Sequence, residues 1–327
     1  LGVPIRCTQN PAIGEEWRRG WHPETITKKG SESSVLVVGA GPAGLEAARA
    51  LGQRGYRVTL AEATRELGGR VTHESTLPGL GEWLRVRDYR VQQIDAMSNV
   101  EVFRESELSV DEVLAVEADH IVISTGATWR ADGFGRNHPQ PLTTLSPSAQ
   151  ILTPDDVMAG RLPDGPTVIF DDDSFYMGGV IAERVRRENV PVTVVTPENV
   201  VSEWCEHTAE QYQVQKHLLE LGIRIETAHR LLAYDGREVT ICCTHTGRQQ
   251  SIEANALIMV TARSPRDELY QSLKQCMEGE AQTPFRSLRR IGDCDAPAII
   301  AAAVYAGHRY ARELDTEPDP DVSVKLE

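Results

Sequence analysis

Between residues 33 and 125, short and nearly uninterrupted apolar runs alternate with longer stretches whose apolar positions recur at helical spacing. Residues 35–38 (VLVV) and 57–62 (RVTLAE) predict strands. Residues 42–53 predict a helix on which Ala43, Ala47, Ala48 and Leu51 can pack closely against a sheet. A loop carrying Gly68, Gly69 and Arg70, then residues 77–83 (LPGLGEW), leads into a further helix ending near Met97. Residues 100–103 and 119–125 (DHIVIST) read as two more strands, the latter closing on Thr125, Gly126 and Ala127. Such alternation is the signature of a parallel sheet with crossover helices.

Residues 131–154, dense in Gly, Pro, Asn and Ser, mark a domain crossing, and the alternation then starts again. Residues 166–170 (PTVIF) predict a strand, 178–188 a helix and 190–195 (VPVTVV) the next strand. A helix at 209–221, a strand at 223–226, β-rich segments at 229–234 and 238–244, and the apolar run 256–261 (ALIMVT) follow. Last come residues 288–297 (LRRIGDCDAP) and an alanine-rich helix at 298–314. This second strand, glycine turn and small-residue helix predicts a return to the first domain. The expected division is an arm at 1–32, a first domain at 33–150 plus 284–327, and an interrupting domain at 151–283.

The turn after the first strand carries the chemistry. In GAGPAGLE (39–46), Gly39 suits the tight turn, Gly41 the close approach of backbone to a pyrophosphate, and Gly44 close helix packing, with Pro42 and Ala43 opening the helix. Glu62 ends the second strand at about the ~20-residue distance of the acid that binds an adenosine ribose. A strand-to-helix turn without a ligand is the plainer alternative, and the Val-rich strand together with Glu62 outweighs it. A carboxylate suits a free 2′-OH and would repel a 2′-phosphate, which disfavours NADP. Ala63, Gly69, Arg70, Trp83, Thr125, Gly126, Gly292 and Asp293 complete the candidate cofactor-binding set. Arg85 and Arg87 are weaker candidates, because arginines are common on a surface. Gly292 and Asp293 would put a carboxylate and a helix N-terminus near a second phosphate or a ribitol chain, with helix capping as the alternative. The fold class is therefore α/β: an FAD-like, Rossmann-type, ADP-binding domain interrupted by a second NAD-binding-like α/β domain. In that second domain the glycine turn is replaced by residues 170–179 (FDDDSFYMGG). Three aspartates and two bulky aromatics there would oppose a pyrophosphate and block backbone approach, so the second nucleotide site reads as disabled.

Composition narrows the partners. The 327 residues hold 34 Lys plus Arg against 48 Asp plus Glu, a formal charge of −14, and a phosphate-binding surface for nucleic acid needs the opposite balance. No apolar run approaches the ~20 residues of a membrane span and no signal peptide opens the chain, so a soluble, cytoplasmic protein is expected. The six cysteines show no CxxC pair, and the nine histidines form no HExxH motif; no GxSxG elbow is present either. No catalytic residue is expected in the chain itself. Leu1 is not an initiator methionine, and the opening residues lack periodicity, which suggests a piece of a longer polypeptide.

CTQN (7–10), GEEWRRGWHPE (14–24), VVGAGPAG (37–44), LPGLGEW (77–83), RDYR (87–90), TGA (125–127) and IGD (291–293) together resemble the C-terminal half of the iron–sulfur flavoprotein amine dehydrogenases, the trimethylamine, dimethylamine and histamine dehydrogenases. The chain is more distantly similar to 2,4-dienoyl-CoA reductase. The resemblance spans essentially the whole chain, and its specific part is the tail before the nucleotide fold.

That resemblance implies an N-terminal (β/α)8 barrel with covalently bound FMN and the amine site, upstream of Leu1. It implies that Cys7 is one ligand of a [4Fe–4S] cluster. It implies ADP, or FAD, at the first glycine turn, and electron flow from amine to FMN to cluster and on to an electron-transferring flavoprotein or similar acceptor, in a homodimer. The alternatives are an NAD(P)H-dependent FAD-containing reductase of the dienoyl-CoA reductase type and a non-catalytic module with a structural nucleotide.

Overall fold

The computed structural model describes residues 6–15, 21, 25–29, 32–279 and 285–316. It divides into two compact units, one formed by residues 2–72, 82–127 and 265–327, the other chiefly by 73–81 and 128–264.

Along the chain the first elements are β1 (Ser34–Val38), α1 (Pro42–Arg54), β2 (Arg57–Ala61), α2 (Arg70–Glu74), α3 (Leu84–Asp95), β3 (Val100–Phe103), α4 (Val110–Ala115), β4 (His120–Ile123) and β5 (Ala127–Trp129). There follow β6 (Ile151–Leu152), α5 (Pro154–Met158), β7 (Thr167–Asp171), α6 (Tyr176–Arg186), β8 (Val192–Val195), α7 (Gln211–Glu220) and β9 (Arg224–Glu226). The chain continues through β10 (His229–Tyr234), β11 (Glu238–Cys243), β12 (Gln249–Glu253), β13 (Ala256–Val260) and β14 (Arg263–Pro265). It ends in α8 (Glu268–Gly279), β15 (Ser287–Arg290) and α9 (Ile300–Glu313).

The first unit is built on a parallel sheet of order β15-β4-β1-β2-β3. Strand β1 is apolar on consecutive positions because both faces of the sheet are covered. Val35 and Val37 join Ala47, Leu51 and Ala303 in the core on one side, while Leu36 and Val38 join Val113, Ile121 and Leu273 on the other. Helices α1 and α9 pack closely because their contact is made of small residues: a Cβ on Gly307 would lie 2.1 Å from the Ala43 carbonyl oxygen. Strand β15 brings the chain's last segment back to this sheet beside β4.

The second unit has a parallel sheet of order β6-β13-β7-β8-β9 and an antiparallel meander β10-β11-β12. Phe170, Val195 and Met259 share a core with Leu231, Tyr234, Val239 and Ile241 of the meander. The turn-rich residues 131–154 run within this unit, where Leu142, Leu145 and Ala149 pack on that core. The change of unit falls earlier, after Ala127. Apolar anchors three and four residues apart, scattered among turn residues, look like a linker to a composition-based reading.

Hydrophobic pattern alone passes over several elements. Strand β12 is polar except for buried Ile252, because it is an edge strand of the meander. The short helices α4 and α5 carry capping boxes, Ser109 with Glu112 and Thr153 with Asp156, and those spacings are the sequence signal that would have placed them. No described helix is long and apolar enough to cross a membrane.

Candidate functional site

The strand order places β4 and β2 on opposite sides of β1, so the carboxyl end of β1 is the point where the winding reverses, the usual crevice for a ligand in such sheets. Here the chain leaves β1 through Gly39, whose φ of +99° lies in the region that favours glycine. Its N–H donates to the Ala61 carbonyl at 2.8 Å, and Ser124 Oγ donates to its carbonyl at 2.7 Å. Gly44 is required for contact: a Cβ there would lie 1.9 Å from the Gly39 oxygen. Gly41 is required by neither. It caps α1 with extended backbone and no side-chain hydrogen bond, Pro42 follows, and a Cβ on Gly41 would meet nothing within 4 Å. The space beside Gly41 at the α1 N-terminus is therefore open, and first-turn N–H groups without intrahelical partners could serve a pyrophosphate there.

Glu62 borders that cradle. Its Oε2 accepts from Ala40 N–H at 2.8 Å, and its Oε1 accepts from Thr64 N–H and Oγ1 at 2.9 Å each. Ala63, next to it, is exposed. The Gly68–Gly69 loop closes another side: Gly68 N–H donates to Ala40 O at 2.8 Å, and a Cβ on Gly69 would lie 3.0 Å from Gly41 Cα. Arg70 then reaches Asp293 at 2.7 Å and the Ala298 carbonyl at 2.8 Å, while Asp293 also accepts from Ala298 N–H at 3.1 Å. A Cβ on Gly292 would lie 2.6 Å from that of Ala43, so the Gly292–Asp293 turn rests on the start of α1.

Thr125 borders the same turn, its N lying 3.2 Å from where a Cβ on Gly39 would sit. Thr125 and Gly126 follow β4, and the Thr125 hydroxyl donates to Arg266 O and Cys294 Sγ. Trp83 packs with Val71, Val86, Ile300 and Val304, a hydrophobic cluster under the loop. Arg85 is exposed and paired with exposed Glu82. Arg87 lies against Gly68 and lines a surface groove of about 480 Å³ with Glu66, Asp88 and Arg104.

The turn after β7 is filled by the protein itself. Asp171 is fully buried; its Oδ1 accepts from Ser174 N–H at 2.9 Å, and its Oδ2 occupies the space of a Cβ on Gly178, at 2.3 Å. Burial, with the charges of Asp173 and Asp172 adding to it, pushes this carboxyl up to about 8. At neutral pH Asp171 is therefore chiefly a neutral acid seated against α6, and it opposes a phosphate by occupying the space rather than by repelling charge. Asp172 is tied to Asn137 N–H at 3.0 Å and Nδ2 at 2.7 Å. Tyr176 is engaged elsewhere, donating to Glu74 at 2.6 Å.

Cys7 lies in a tight turn in which Gln9 N–H and Asn10 N–H both point to its Sγ at 3.4 Å. Backbone donors on one sulfur would suit a cysteine that ligates iron, since hydrogen bonds to the sulfurs tune such clusters. No group of three or more metal-ligating side chains occurs among the described residues, so Cys7 would be a single contribution to a centre completed elsewhere.

Sequence reasoning missed a buried ionic cluster behind the cradle. Glu46, on α1, accepts from Arg49 at 2.5 Å, Arg90 Nε at 2.8 Å and His308 Nδ1 at 2.8 Å. Arg312 Nε donates to His308 Nε2 at 3.2 Å, and since arginine can only donate, His308 is the neutral tautomer with its proton on Nδ1. Burial opposes the Glu46 charge, but the His308 hydrogen bond and the Arg49 and Arg90 charges outweigh it and hold the carboxyl at about 2. Trp21 covers the cluster, edge-on to His308 at 5.3 Å. A Glu with an Arg three residues on, in a helix otherwise rich in small apolar residues, was the available signal.

A family model described as pyridine nucleotide-disulphide oxidoreductase matches residues 33–155. Dimethylamine dehydrogenase of Hyphomicrobium sp. (strain x) is 36% identical over 354 residues, covering 100% of this chain and 48% of that protein. Histamine dehydrogenase from Rhizobium sp. 4-9 superposes with a TM-score of 0.93 at 46% identity, over 97% of this chain and 49% of the other. The chain is homologous to one half of these amine dehydrogenases. A further structure, 6-hydroxypseudooxynicotine amine oxidase from Pseudomonas geniculata N1, gives a TM-score of 0.89 at 41% identity, over 95% and 46%. The chain thus spans about half the length of the amine dehydrogenases it matches. The amine dehydrogenase kinship agrees with the α/β nucleotide-binding fold and with the resemblance carried by the motifs from CTQN to IGD.

Proposed function

We propose that this chain is the C-terminal, nucleotide-holding half of an FMN/[4Fe–4S] amine dehydrogenase, and that the cradle at Gly39, Gly41 and Gly44 binds ADP. The names of the relatives support the amine class, and their doubled length supports a barrel partner in the same polypeptide. The carrying observation is the open cradle at Gly41 bordered by the Glu62 carboxylate. Glu62 would hold the ribose hydroxyls, and the α1 N-terminus with Gly69 would hold the pyrophosphate.

Cys7 would contribute one thiolate to the cluster. When bound, such a cluster supplies one-electron transfer, here toward an electron-transferring flavoprotein or similar acceptor. The residues of this chain would hold the nucleotide, orient the Cys7 turn and break no substrate bond. The reductase alternative has weaker support, because Asp171 occupies the second cradle.

Denaturing the purified full-length protein and identifying the released nucleotide by mass spectrometry tests the reading. Stoichiometric ADP is expected. Stoichiometric FAD from this half, or rapid bleaching of a flavin spectrum by NADPH, would overturn it.

A further inference from the structure

Arg90 is fully buried and its guanidinium is used on every side. Nε pairs with Glu46, Nη1 donates to Val86 O at 2.7 Å, and Nη2 donates to the carbonyls of both Thr8 and Gln9 at 3.3 Å. Thr8 and Gln9 immediately follow Cys7, and the Gln9 N–H is one of the two donors to its sulfur. Glu46, the acceptor at the other end of the fork, sits near the start of α1, whose N-terminus forms the cradle.

From this juxtaposition we infer that Arg90 is a positioning residue that clamps the Cys7 turn to the nucleotide-binding helix and thereby sets the environment of the iron–sulfur cluster. The inference rests on the proposed role of Cys7. Arginine suits the task because its planar fork can satisfy two adjacent carbonyls and a carboxylate at once, whereas a lysine offers one point charge. Glu46 in turn is pinned by Arg49 and His308, so the clamp is fixed to the body of the helix rather than to a mobile side chain. N–H groups directed at a ligating sulfur stabilise the extra negative charge of a reduced cluster. Slackening the turn would weaken those bonds, so loss of the clamp should lower the midpoint potential.

The test uses the full-length holoenzyme, with redox titration and electron paramagnetic resonance of the cluster alongside thermal stability and nucleotide content. Arg90→Lys keeps the positive charge and removes the fork; Glu46→Gln keeps Arg90 and loosens its seat. In both, a lowered midpoint potential with an altered cluster spectrum is expected. If either variant folds with an intact cluster whose potential and spectrum match the wild type, the clamp is refuted, whatever the change in melting temperature. Cys7→Ala separates the two readings: an unchanged cluster there removes Cys7 as a ligand and the proposed role with it. A cluster lost in Cys7→Ala but unmoved in Arg90→Lys and Glu46→Gln overturns only the clamp.

Discussion

The Glu62 carboxylate and the Ala40 backbone N–H lie 2.8 Å apart, a bond that joins the end of β2 to the turn after β1 and aligns the acid with the cradle. Glu62 therefore braces the turn, and in the proposed ADP site it would also present oxygen to the ribose. Glu62→Gln should weaken ADP binding on the order of 10- to 100-fold, the scale of losing hydrogen bonds to a charged acceptor. Calorimetry on nucleotide-depleted protein measures it, and unchanged affinity would remove Glu62 from the site.

Two glycines of one motif should fail in different ways. Gly41→Ala places a methyl in open space and should fold with a near-normal melting temperature while losing most of its nucleotide. Gly44→Ala drives a methyl into the Gly39 carbonyl and should cost at least about 2–3 kcal/mol of stability. Nucleotide content and thermal melts on the two proteins separate the cases; full nucleotide occupancy in Gly41→Ala would contradict the cradle.

Glu46 predicts an acid limit. Its folded pKa of about 2 lies below the ordinary 4.5, so its stabilisation is complete above 4.5 and is lost as pH falls from there toward 2. Glu46→Gln leaves Arg90 and Arg49 buried without their anion and should cost about 3–5 kcal/mol near neutrality. The gap in melting temperature between wild type and variant should narrow as the buffer is taken below 4.5, and a gap independent of pH would be the contrary result.

Asp171 predicts the opposite slope. Its folded pKa is raised from 3.8 to about 8, so its contribution is fully present below 3.8 and is lost as pH rises through about 8. Asp171→Asn, which keeps the acceptor for Ser174 N–H, should melt progressively higher than wild type as pH increases across that window. Parallel melting curves at all pH values would show that Asp171 ionises without cost.

Gly39, Gly44 and Glu62 could be read from the chain because a strand, a turn and a helix in immediate succession define their geometry locally. Arg70 and Asp293 were both visible as candidates, yet their ion pair was not, since residues so far apart in sequence meet only when β15 returns beside β4. The packing of Trp83 with Val71 and Ile300 was likewise hidden, because those partners come from separate elements.

The sequence by itself determined the α/β class, the parallel sheets and the glycine turn after β1, because strand and helix periods and glycine turns act over a few residues. Only the tertiary structure decided that Asp171 fills the second cradle as a largely neutral acid, that Asp293 is taken by Arg70, and that Arg90 grips the turn after Cys7. Burial, and the charges and donors that distant segments bring to a group, set its protonation and its partners, and neither is written in the local pattern of the chain.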